Sequence, residues 1–229
     1  MVYSGPFHNY KCAILILTAN HVHRNCAASS SNGEIPVFIY HANGKEEVKA
    51  TLVAWDELND LALLMIASER PAPDPVAYFL PPTFLARLEP GAPVYAYGCP
   101  LGNDPVHSSG AISSTTQIEQ ITQPNSTMVP VPFYMITALT YFGNSGGGIW
   151  HFVEVGPQGL PVGFLLGPFS KIYTHSVRNP TPITHMGLVP DPLTTNLFLP
   201  NAGFVINPST FKLEYSSIPT PVLAEICDH

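Results

Sequence analysis

The chain has 229 residues, of which 45% are hydrophobic and only 11% charged, with a formal net charge of −7. That length can bury a sizeable core, and that composition excludes a disordered chain, which needs few apolar side chains and many charges. The balance of 9 basic against 16 acidic residues gives no basis for nucleic-acid binding, which basic side chains drive by releasing counterions.

Taken in chain order, the segments read as short strands separated by turns. Residues 12–18 form an apolar run rich in Ile and Leu, and residues 36–41 follow a Ser-Asn-Gly turn. Asn43-Gly44 is a hairpin signal, because that dipeptide suits the left-handed backbone of a two-residue turn. Alternating residues 47–54 follow it, then apolar residues 61–66. Residues 93–97, 110–114, 131–138, 148–153, 161–166 and 203–206 continue the pattern. No long stretch sustains helical periodicity, and one short helix is expected in the tail, residues 221–227. With 17 glycines and 25 prolines, the composition fits many turns. Two proline-dense stretches stand out, a connector at 69–82 and an irregular insertion at 167–200. The longest aliphatic run, residues 13–17, is far shorter than the roughly 20 residues a membrane helix needs. Many short strands of this kind imply an all-β barrel or sandwich.

Three stretches carry the chemistry. Leu17-Thr18-Ala19-Asn20-His21-Val22 ends a strand, Asn59-Asp60-Leu61 leads into one, and Gly143-Asn144-Ser145-Gly146-Gly147-Gly148 places a serine in a glycine-rich turn. A serine hydroxyl is a weak nucleophile at neutral pH and needs an imidazole to accept its proton. The imidazole needs a carboxylate on its other nitrogen to hold the tautomer and to stabilise the imidazolium that forms. Glycines beside the serine let backbone N–H groups turn toward a developing oxyanion. The order His21, Asp60, Ser145 is that of a chymotrypsin-type triad.

Other residues take structural readings. His21-Val22-His23 has metal-like spacing on a strand, but no carboxylate or cysteine motif completes a site, so no metal and no cofactor are expected. Cys12, Cys26, Cys99 and Cys227 form no CxxC pair and read as free thiols. Glu46-Glu47 reads as a solvated face, and Trp55 and Trp150 as packing residues.

With these residues in view, the sequence resembles the trypsin-like superfamily, and within it the HtrA/Deg branch. Tyr97-Gly98-Cys99-Pro100-Leu101-Gly102 is similar to that branch's Gly-Asn-Pro-Phe-Gly turn, and Ser109-Gly110-Ala111-Ile112-Ser113 to its Ser-Gly-Ile-Val-Ser strand. Val162-Gly163-Phe164 resembles the strand lining the substrate cleft, and Gly203-Phe204-Val205-Ile206 the closing strand. The resemblance implies an all-β fold of two packed six-stranded barrels in one protease domain spanning 1–229. The first barrel would occupy 1–75, and the second 76–229 with a long loop at 167–200. His21 lies so near the start of this sequence that the first barrel is expected to be trimmed or rearranged.

The resemblance also implies roles. His21 would be the general base, Asp60 its orienting carboxylate and Ser145 the nucleophile, with the backbone N–H groups of Gly143 and Ser145 as the oxyanion hole. Counting back from Ser145 in the trypsin-like pattern makes Leu139 the base of the primary specificity pocket. Leu165, Leu166 and Gly167 would form its wall. No acid is present there, so small or medium apolar side chains are expected before the cleaved bond. The implied activity is serine endopeptidase, acting on polypeptide through an acyl-enzyme. The competing readings are a binding module on the same fold and a viral polyprotein-processing protease. Neither nucleic acid nor membrane is an expected partner, and nothing in the residues specifies an oligomer.

Overall fold

The computed structural model describes residues 1, 3–7, 10–27, 34–41, 44–68, 77–123, 125–155, 158–175, 178 and 180–216. The first sheet is built from β1 (Tyr3–Phe7), β2 (Tyr10–Ala19), β3 (Ile35–His41), β4 (Gly44–Asp56) and β5 (Leu61–Ser68), with α1 (Asn20–Ala27) between β2 and β3. Its order is β1-β2-β5-β4-β3. The central strands β2 and β5 are apolar on both faces because both faces are covered. Ala13, Leu15 and Leu17 of β2 join Leu61, Leu63 and Met65 of β5 on one side. On the other, Ile14 and Ile16 pack with Leu64 and Ile66.

The second sheet has eight strands. They are β6 (Tyr78–Phe79), β7 (Pro93–Gly98), β8 (Val106–Thr122), β9 (Met128–Ile136), β10 (Gly148–Val155), β11 (Leu160–Pro168), β12 (Lys171–Thr174) and β13 (Pro182–Pro190), in the order β12-β13-β9-β8-β7-β10-β11-β6. A single-turn helix, α2 (Pro82–Leu85), follows β6. After the sheet come α3 (Pro192–Asn201) and a hairpin of β14 (Phe204–Ile206) and β15 (Leu213–Tyr215). One core joins all three parts: Leu15 and Leu63 from the first sheet, Phe79 and Leu165 from the second, and Phe198 and Phe204 from the closing segment. Each such side chain contributes about 1.5–3 kcal/mol on burial.

The fold is all-β, as the sequence implies, but among the described residues neither sheet closes into a six-stranded barrel. Two long strands act as corners. β4 pairs with β3 through Gly44–Ala50 and with β5 through Thr51–Asp56, with a register shift between Leu52 and Ala54. β8 likewise pairs with β7 through Val106–Ala111 and with β9 through Ile112–Thr122, with shifts near Ser114. Bulges bend a strand and raise its twist, so each sheet curls. Its end strands nevertheless remain unjoined: β1 and β3 in the first sheet, β12 and β6 in the second.

Two expectations are corrected. Residues 20–23, read as the end of a strand, lie in α1. Residues 167–200, read as an irregular loop, contain β12, β13 and α3. Pro182 and Pro190 bound β13, and Pro192 occupies the first turn of α3, where a missing N–H costs nothing, while Pro200 falls in its last turn. Two strands, β1 and β2, precede His21, and the first sheet has five strands among the described residues where the resemblance implies six. The expected hairpin after β3 is consistent with the pairing of His41 and Gly44, although Asn43 lies outside the described residues. Most of the 69–82 connector and the whole of the 221–227 helix also lie outside them.

Candidate active site

The meeting of His21 and Asp60 follows from strand register. β2 and β5 run antiparallel with Ala19 opposite Leu61, so the next residue outward on each strand, Asn20 and Asp60, face one another. The Asn20 N–H donates to the Asp60 carbonyl at 3.1 Å, extending the ladder by one bond. The chain then turns into α1, whose first turn carries His21. Asp60 adopts a left-handed backbone, φ 56°, a conformation that Asp tolerates better than most residues.

Asp60 is 8% exposed, and its carboxylate is held by three donors. The His21 N–H donates to Oδ1 at 2.8 Å, His21 Nδ1 lies 2.8 Å from Oδ2, and the Ser170 hydroxyl donates to Oδ2 at 2.5 Å. With Nδ1 engaged by the carboxylate, Nδ1 carries the ring proton and Nε2 is left as the acceptor. The imidazole is 41% exposed at the cleft.

Ser145 sits in a turn flanked by two residues of left-handed backbone. Gly143 has φ +93°, and a Cβ there would lie 2.6 Å from the Leu101 nitrogen. Gly146 has φ +80°, and a Cβ there would lie 2.1 Å from Thr18 Oγ1. Glycine is therefore required on both sides of the Asn144-Ser145 pair. The turn is anchored to the end of β11: Gly146 N–H donates to Phe169 O at 2.8 Å and Phe169 N–H to Gly147 O at 2.7 Å. This pairing delivers the next residue, Ser170, to Asp60. The 100–102 turn braces the other flank, with Leu101 N–H donating to Phe142 O at 2.7 Å. Among the described residues, neither the Gly143 nor the Ser145 N–H donates to a protein acceptor.

His21, Asp60, Ser145 and Ser170 line one cleft of about 1050 Å³. Its walls include Trp55, Leu58, Ile121, Phe142, Lys171 and Ile172, and α3 adds Phe198 and Asn201. No hydrogen bond joins His21 to Ser145 among the described residues; such contacts tighten only once substrate is bound in many enzymes. Trp55, expected as packing, is 39% exposed and lines the cleft instead, whereas Trp150 packs on the main core.

The expected pocket residues lie elsewhere. Leu139 is 49% exposed and does not line the cleft, and its carbonyl accepts from Ser108 Oγ at 2.7 Å. Leu165 and Leu166 are buried in two different hydrophobic clusters, and Gly167 is a buried ladder residue opposite Ile149. Val162 and Gly163 line a separate apolar cavity of about 620 Å³ rather than the cleft. The cleft wall lies a few residues further on, at Ser170, Lys171 and Ile172. Ser170 is the residue that sequence reasoning missed. Its one signal was a lone hydroxyl ending the apolar run that begins at Val162.

The remaining candidates are quickly placed. His23 lies on α1 rather than on a strand, so the two-residue spacing separates it from His21 around the helix. Burial and then the Arg24 charge push its titration down. Cys12, Cys26 and Cys99 are free, and Glu46 and Glu47 are exposed. Among the described residues, no cluster of His, Cys, Asp or Glu is arranged to hold a metal, and no helix is long and apolar enough to cross a membrane.

Several known proteins are similar to this chain. The model of the trypsin-like peptidase domain matches residues 4–154. Serine protease Do-like HtrA from Lactococcus lactis subsp. cremoris (strain MG1363) is 34% identical over 109 residues, which cover 47% of this chain and 26% of that protein. The same protein from Lactococcus lactis subsp. lactis (strain IL1403) matches to the same extent, so the aligned part spans about a quarter of these curated relatives. Among solved structures, the HtrA-type protease AlgW with decapeptide superposes with a TM-score of 0.54 at 23% identity, covering 82% of this chain and 50% of that one. Deg5 gives 0.52 at 21% identity, covering 80% and 75%. The protease domain of MamO from Magnetospirillum magneticum gives 0.52 at 18% identity, covering 85% and 89%. The family match, the fold and the clustering of His21, Asp60 and Ser145 agree: the chain belongs to the trypsin-like peptidase domain family.

Proposed function

We propose that the chain is a serine endopeptidase that cleaves polypeptide through an acyl-enzyme. The observation that carries this reading is the fully hydrogen-bonded Asp60 carboxylate behind His21, in the cleft that Ser145 lines. In the proposed reaction His21 Nε2 takes the Ser145 hydroxyl proton as Oγ attacks the peptide carbonyl. Asp60 holds the imidazole in the required tautomer and stabilises its cation. The N–H groups of Gly143 and Ser145 receive the oxyanion, and the imidazolium then protonates the leaving amine.

A polypeptide substrate is supported by the cleft's volume of about 1050 Å³ and by the similarity to AlgW, whose structure was obtained with a decapeptide. The apolar lining and the absence of an acid beside the nucleophile turn favour an apolar side chain before the cleaved bond. The competing reading, a binding module, draws on the missing hydrogen bond between His21 and Ser145. Hydrolysis of an unfolded protein separates the two. The chain should cut it, and Ser145→Ala should abolish cutting with an unchanged circular dichroism spectrum; cutting that survives Ser145→Ala would refute the proposal.

A further inference from the structure

Two cations line the cleft, and they differ in how they are satisfied. Arg24 pairs with Glu57 at the rim, and both are well exposed. Lys171 is half-buried, directly after Ser170, and has no carboxylate within 4.0 Å of its ammonium among the described residues. Its Nζ instead lies 4.9 Å from the centre of the Phe133 ring, which is fully buried in the second sheet. A ring face supplies part of the counter-charge that a desolvated ammonium needs, but less than a carboxylate does.

The neighbouring acids are already committed. Glu119 Oε1 accepts the Tyr173 hydroxyl at 2.6 Å and the Gln117 amide at 3.2 Å. Asp60 holds its three donors, and Asp56 accepts from the Asn59 backbone and side chain. Glu119 and Asp60 act on Lys171 only through their longer-range field. Of the acids lining the cleft or flanking this lysine, each has donors of its own.

Lys171 is also the first residue of β12, the terminal strand of its sheet. A terminal strand presents unpaired backbone groups to an extended chain, and side chains of an added strand fall in register with it. We infer that Lys171 is a specificity-determining residue, whose ammonium receives a carboxylate side chain, Asp or Glu, of the polypeptide lying in the cleft. This inference rests on the proposal that the cleft takes a polypeptide. The net charge of −7 opposes acidic chains at a distance, so the preference is a contact effect at one substrate position.

The test uses the full chain with decapeptide pools carrying Asp, Asn or Lys at one position at a time. At one position the Asp pool should be cleaved with a kcat/KM about tenfold above the Asn pool. Lys171→Met keeps the stem over Phe133 and should bring that ratio within about twofold of unity, whereas Lys171→Arg should keep it and Lys171→Glu should invert it toward Lys. A flat wild-type profile overturns the inference, as does an acid preference that survives Lys171→Met. Should Lys171→Met fail to fold, Lys171→Gln takes its place. If no pool is cleaved, the protease reading fails, and binding of the same peptides by fluorescence anisotropy decides the inference separately. Tighter binding of the Asp peptide that depends on Lys171 supports it, and equal Kd values for Asp and Asn peptides overturn it.

Discussion

The Ser170 hydroxyl donates to Oδ2 of Asp60 across 110 residues of chain, the same oxygen that meets His21 Nδ1. One atom thus links the β4–β5 turn of the first sheet, the helix that carries His21 and the end of β11 in the second sheet. The relative position of His21 and the Ser145 turn depends on this junction, because Phe169, one residue before Ser170, pairs with Gly146 and Gly147.

Ser170→Ala should therefore lower kcat by about tenfold, since a hydrogen bond to a charged group contributes about 1.5–3 kcal/mol. KM should change little, because the hydroxyl is turned to Asp60 and away from substrate. Ser170→Thr, which keeps the donor, should restore part of the rate. A fall in KM-based affinity with unchanged kcat would assign Ser170 to substrate binding instead.

His21, Asp60 and Ser145 should act as a unit. Ser145→Ala or His21→Ala should each remove several orders of magnitude of rate, and adding Asp60→Asn to either should cost little more. Steady-state rates of the single and double variants check this; losses that multiply would contradict a shared step.

How much of this was legible in the sequence depended on local pattern. His21 and Asp60 stand out in the sequence because apolar β2 and β5 are unbroken runs that stop at the residues that meet. Ser145 stands out because glycines flank it where the backbone is left-handed. Ser170 was hidden because β12 is only four residues long and half-buried throughout, without alternation. The prolines around it read as loop, although Asp191-Pro192 is a helix-start signal: the Asp191 carboxylate accepts the Leu193 N–H at 3.0 Å and caps α3. The residues expected to wall the pocket, 165–167, do not line the cleft. Leu165 and Leu166 look like pocket residues in sequence, but β11 is covered on both faces and its two leucines point into different clusters.

Gly143→Ala should destabilise the chain by about 2 kcal/mol or more, because it combines a left-handed backbone with contacts to backbone atoms of Cys99 and Leu101. Those atoms cannot swing aside as a side-chain terminus would. Urea unfolding measures the loss, and an unchanged midpoint would show that the nucleophile turn is more pliable than its geometry indicates.

The charge on Lys171 should show in pH dependence. Burial pushes its ammonium below the usual lysine value of 10.5, while the fields of Glu119 and Asp60 pull it back up. A lysine is cationic below its pKa, so the preference for acidic peptides should be full near neutrality. It should fade as pH rises through a range lower than that of an exposed lysine. The ratio of Asp- to Asn-peptide kcat/KM against pH reads this directly; a ratio constant up to pH 10.5 would contradict it.

Whether Ser145 is an activated nucleophile is read by labelling with a fluorophosphonate probe followed by peptide mass mapping. One phosphonylated residue, Ser145, is expected, with labelling abolished in Ser145→Ala and reduced by orders of magnitude in His21→Ala. An intact, folded chain that takes up no probe, or takes it up equally without His21, would contradict it.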